Sequence, residues 1–125
     1  MDTRAQDRIA GAANPLVSSR RVEGTAVYNP KGERLGAIEQ VMIDKLTGQV
    51  AYAVMSFGGF LGIGEKYHPL PWAVLDYDPA KGGYVIDLDK KTLEGAPQYG
   101  ATSDPEGWPD TTWQERVDRY YLPYL

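Results

Sequence analysis

The chain has 125 residues, a formal net charge of -4, a pI near 4.9 and no cysteine. One domain is expected, and a chain of this length buries roughly two-thirds of the surface its unfolded form exposes, enough for a core without covalent staples. The missing cysteines exclude disulfides, thiolate chemistry and cysteine-rich zinc sites and fit a reducing, cytoplasmic setting; the acidic balance argues against a broad phosphate-binding face, which needs clustered Lys and Arg.

Residues 1–17 are polar and rich in Ala and Gly, without a sustained period, and read as a mobile N-terminal arm. No apolar h-region marks a secretory signal. No run approaches the ~18 apolar residues of a spanning helix, so no membrane span is expected. Arg20-Arg21 reads as the solvated start of a strand. From Val22 the pattern becomes strand, turn, strand, with Asn29-Pro30-Lys31-Gly32 suited to a type I turn.

In LGAIEQVMID (35–44) the alternation of branched residues slips, and a bulge near 38–40 would bring Ile38 and Val41 to one side. KLTG (45–48) supplies a hairpin turn. QVAYAVMSF (49–57) is apolar on both parities, which implies a central strand covered on both faces. YHPLPW, AVLDYD (73–78) and YVIDLD (84–89) read as further short strands, the last two joined by PAKGG. The reading is all-β, a small barrel of five or six strands. No helix is long enough for a crossover, so a parallel sheet is not expected.

KKTLEGAPQY (90–99) reads as one helical turn stopped by Gly95 and Pro97. A loop follows, then TWQERVDRYYL, where Trp113, Val117, Tyr120 and Tyr121 make one apolar face of a short amphipathic helix ended by Pro123.

The stretch SFGGFLGIGEKYHPLPW (56–72) looks the most like a site. Gly59 and Gly64 have P-loop separation, but Glu65 stands where lysine is needed and no Ser or Thr follows Lys66. A dinucleotide fingerprint fails at Tyr67, and Pro69 and Pro71 prevent a helix from opening there. The glycines read instead as a tight connection out of a buried strand. His68 lacks a second histidine at ligand spacing, so its plainer role is structural, and Glu65, Lys66 and His68 stand only as a candidate ligand loop. Asp76 with Asp78 and Asp87 with Asp89 fall on common strand faces, where solvated edges explain them at least as well as a cation. No nucleophile elbow is present. No catalytic residue, cofactor-binding residue, metal ligand or cofactor is assigned, and the chain is expected not to be an enzyme.

The tail is the other candidate. Trp108, Trp113, Tyr120, Tyr121 and Tyr124 crowd its end, and with Val117 they are the candidate partner interface. Either they fold back on their own barrel or they bury in a partner, since a small barrel has little outer surface for five large rings.

The stretch RLGAIEQVMIDKLTGQVAYAVMSFGGFLGIGEKYHPLPWAVLDYD resembles the PRC-barrel family. The matching elements are Gly36 with Ile38 before Val41-Met42-Ile43-Asp44, Gly48, the apolar strand 50–55, Phe57-Gly58-Gly59, Gly62, Gly64 and Leu70-Pro71-Trp72. The likeness spans about 24–98, and the turn from Lys91 to Pro97 looks like the family's C-terminal extension. Gln40 departs from the acidic residue that members often carry. RVDRYYLPY looks like the ending of a bacterial subgroup of stand-alone members.

The resemblance implies a six-stranded PRC-type barrel at 18–98, preceded by the arm 1–17 and followed by an aromatic-rich loop and helix at 99–125. It also implies docking rather than catalysis, as in the photosynthetic reaction-centre H subunit and a ribosome maturation factor. The expectation is a cytoplasmic protein-interaction module that self-associates, a dimer favoured, through strand edges and the aromatic tail. One alternative is an RNA- or ribosome-associated assembly adaptor, against which the acidic pI counts. The other is a small-ligand or metal-binding regulator using the 58–68 loop.

Overall fold

The structure, a computed structural model, describes residues 15–57, 66–100 and 111–125. The glycine-rich loop with Glu65, the loop with Trp108 and most of the N-terminal arm lie outside the described residues.

Strands β1 (Ala26–Tyr28), β2 (Arg34–Ile43), β3 (Val50–Phe57), β4 (Lys66–Pro71), β5 (Asp76–Asp78), β6 (Gly83–Val85) and β7 (Tyr99–Gly100) form one sheet in the order β5-β6-β1-β2-β3-β4-β7. Six are the expected barrel strands, and β7 adds two residues beside β4. Among the described residues no ladder joins β5 to β7, so the barrel-like sheet is held by its core rather than closed by hydrogen bonds. The helices are α1 (Ser19–Val22), α2 (Lys90–Glu94) and α3 (Thr111–Tyr121).

One pairing differs from expectation. β1 and β6 run parallel, Val27 opposite Tyr84. The crossover that parallel strands need is supplied by the whole β2–β5 segment instead of a helix. The Arg20-Arg21 stretch also differs: it is the helical turn α1, whose Ser18 side chain accepts from the Arg20 N–H at 3.2 Å while Val22 is buried.

The slipped alternation in β2 is a bulge. Ile38 pairs with Met55 and Gln40 with Val54, leaving Glu39 as the extra, exposed residue while Ile38 stays in the core. Two residues earlier, Gly36 lets β2 and β3 approach closely: a Cβ there would lie 1.8 Å from the Ser56 carbonyl oxygen. β3 is central, and Tyr52 through Ser56 are all buried.

The turns follow side-chain chemistry. Asn29 Oδ1 accepts from the N–H groups of Lys31 and Glu33 at 3.0 and 2.9 Å. Asp44 Oδ1 accepts from Leu46 and Thr47, and Gly48 closes that hairpin at φ +78°. The expected strand at 84–89 is shorter as a ladder, yet its inward alternation persists, with Ile86 and Leu88 buried and Asp87 exposed. Segment 73–78 divides into a 3₁₀ turn (Trp72–Val74) and β5.

Candidate functional site

α3 packs against β4 with the face that its spacing implies. Val117 and Tyr121 have no exposed surface, and Trp113 and Tyr120 pack half-buried against the same core. Two phenols tie the helix down. Tyr52 donates from β3 to Asp118 Oδ1. Tyr120 donates to the Thr92 carbonyl oxygen of α2 at 2.5 Å. Burial, and then the Asp118 contact, push the Tyr52 phenol well above the ordinary tyrosine range. Burial does the same to Tyr121, whose hydroxyl has no hydrogen-bond partner among the described residues.

The sequence left open whether the tail packs on its own barrel or in a partner. Val117 and Tyr121, named as interface candidates, are core residues of their own chain and have no surface to offer. The physical reason is that β4 covers the apolar face of α3 while the Thr92 carbonyl of α2 takes the Tyr120 hydrogen bond, neither of which the strand pattern shows. Of the other candidates, Trp113 and Tyr120 keep part of their surface, Tyr124 is 43% exposed, and Trp108 lies outside the described residues. Beyond α3 a 3₁₀ turn (Leu122–Tyr124) leaves Leu122 65% and Leu125 62% exposed.

His68 is fully buried on β4. Its Nε2 donates to Gln98 Oε1 at 2.7 Å, its ring stands 5.3 Å from that of Phe57, and its Nδ1 has no partner among the described residues. Burial lowers its pKa to about 4, so the imidazole is neutral near pH 7. Lys66 sits at the exposed start of the same strand, and Glu65 lies outside the described residues. Among the described residues, no three His, Asp or Glu side chains converge as a metal site. Asp78 and Asp89 serve as local caps, Asp78 accepting from Ala80 N–H and Asp89 from Thr92 N–H. The latter contact lowers the Asp89 pKa.

Two open clefts border the α2 region. One, of about 650 Å³, lies between the Asn29–Glu33 turn, the start of α2 and Tyr124. Its charges are mixed, Lys31, Lys90 and Lys91 against Glu33, Asp87 and Asp89, and Lys90 lies 3.7 Å from Glu33. The other, of about 500 Å³, lies between α3 and residues 95–98 and presents Arg116, Arg119 and Gln98, with no acidic side chain among the described residues that line it. Sequence reasoning missed these three. The arginines three apart on a helix were a legible signal, whereas Gln98 gains a role only through its contact with His68.

No helix among the described residues is long and apolar enough to cross a membrane. No curated protein matches the chain. Solved structures that match include a 16S ribosomal RNA processing protein, RimM, from Pseudomonas aeruginosa, with 22% identity and a TM-score of 0.39. The match covers 62% of this chain and 46% of that one, so the chain spans less than half of that protein's length. The PRC-barrel domain profile matches residues 15–93, well over half of the chain and nearly all of the strands described above. The chain therefore belongs to the PRC-barrel domain family.

Proposed function

We propose that the chain is a non-catalytic protein-docking module that associates through its C-terminal surface, with a second copy of itself as the first occupant to test. The observation that carries this reading is the cluster Leu122, Tyr124 and Leu125, three large apolar side chains within four residues and all exposed. They follow a helix anchored by Val117, Tyr121 and two phenol hydrogen bonds. Apolar groups on an anchored turn shed water on association at little ordering cost. The outer strand β5 is a second contact, with Tyr77 57% exposed between Asp76 and Asp78, whose charges blunt open strand pairing. A cytoplasmic setting belongs to the same proposal, supported by the absence of cysteine.

The test is light scattering on the full chain across micromolar concentrations, with Leu122→Ser/Leu125→Ser beside it. Wild type is expected to associate and the double variant to be monomeric. A wild-type monomer throughout sinks self-association. Removing the tail after Tyr99 is a poor control, because it takes Val117 and Tyr121 out of the core. Binding to ribosomal RNA that weakens steeply with salt would replace this reading with the adaptor alternative.

A further inference from the structure

The 500 Å³ cleft beside α3 has an unusual balance of hydrogen-bonding groups. Arg116 and Arg119, three apart on the helix, are both exposed, and neither forms an ion pair among the described residues. Glu115, four residues before Arg119, pairs with neither. One acceptor and several donors in the lining are already engaged. Gln98 Oε1 accepts from His68 Nε2, and no hydrogen bond among the described residues uses the Gln98 amide N–H groups. The Tyr120 hydroxyl gives its proton to Thr92, and the N–H groups of Gly95 and Ala96 are used by α2 carbonyls. Two guanidinium forks and one amide donor pair are without a partner among the described residues.

That set matches a carboxylate, which accepts at both oxygens and suits the planar fork of arginine. A nucleic-acid backbone fits less well, because it needs a row of cations and the described residues of this cleft offer two. We propose that this cleft reads the carboxylates of a short acidic segment of a partner protein. The inference rests on the docking reading above and specifies the partner's chemistry. Because Tyr121, Val117 and the Tyr120–Thr92 bond hold α3, the arginine backbone is positioned before the partner arrives.

The experiment titrates the 15N-labelled full chain with an octapeptide of alternating glutamate and glycine. A glutamine–glycine octapeptide and a uridylate octamer serve as comparisons. The glutamate peptide is expected to shift the Arg116 and Arg119 Nε–H and the Gln98 side-chain amide resonances, and the glutamine peptide to leave them in place. Arg116→Gln/Arg119→Gln, on the exposed helix face, is expected to melt as wild type does and to bind the glutamate peptide at least tenfold more weakly. Equal shifts with the glutamine peptide, shifts confined to other residues, no shifts, or tighter uridylate binding at these resonances would each overturn the proposal. The two readings fail separately. If Leu122→Ser/Leu125→Ser loses association while the arginine variant binds peptide as wild type does, the cleft falls and docking stands. The reverse pattern removes the apolar patch and keeps the cleft.

Discussion

In the β2–β3 hairpin, partners are close in sequence and the backbone itself is the contact: Ile38 faces Met55, and Gly36 leaves room for the Ser56 carbonyl. In the α3 seat, partners are far apart and meet through side chains, with Tyr52 and Asp118 separated by 66 residues. The hairpin has no slack, because two peptide planes occupy the space that a single methyl would need. The seat is assembled from separate contacts, each removable by itself. Local pairing therefore makes this core, and distant side chains seat the C-terminal helix on it.

The largest test of that contrast is Gly36→Ala. A Cβ 1.8 Å from a backbone oxygen cannot be relieved by a rotamer change, so a loss of about 4 kcal/mol or more, or failure to fold, is expected by urea denaturation. A loss under about 1 kcal/mol would show that the two strands can separate, and the contrast would be broken.

Tyr121 comes next. Tyr121→Ala empties a fully buried ring site and should cost about 3 to 4 kcal/mol. Tyr121→Phe removes only a hydroxyl without a partner among the described residues and should lie within about 1 kcal/mol of wild type or be more stable. Equal losses for the two variants would show that the hydroxyl, rather than the ring, holds the helix.

His68 makes the seat sensitive to acid. Its pKa is about 4 in the folded chain against 6.5 for an unperturbed histidine. Between those values the unfolded chain takes up a proton that the folded chain refuses. Stability is therefore expected to fall as pH drops from 6.5 towards 4 and to level off below, by a total on the order of 3 kcal/mol. Denaturation midpoints across this window should lose that slope in His68→Leu; the same slope in the variant would assign it to carboxylates.

The smallest effect is Tyr120→Phe, which removes one hydrogen bond to the Thr92 carbonyl at a half-buried site. A cost of about 1 kcal/mol is expected by thermal unfolding. If the loss rivals that of Tyr121→Ala, α3 is held chiefly at its rim.

Much of the barrel was legible because strand periodicity and turn chemistry are local. The slip at Ile38 to Gln40 announced a bulge, and the two-sided apolar run at 50–57 announced the central strand. Tyr121 was legible as one member of an apolar helix face, but whether that face would be covered by its own barrel was not. The parallel β1–β6 pair was missed for a related reason: Val27 and Tyr84 are brought together by everything between them.

The sequence by itself determined the strands, the hairpin turns, the helix periodicity and the family resemblance, since each depends on side-chain period or on residues a few positions apart. Only the tertiary structure decided that α3 is seated in cis on β4, that His68 is a neutral core residue backed by Gln98, and that two arginines share a cleft with that glutamine. Those outcomes depend on which distant surfaces meet and exclude water, and no local pattern encodes that.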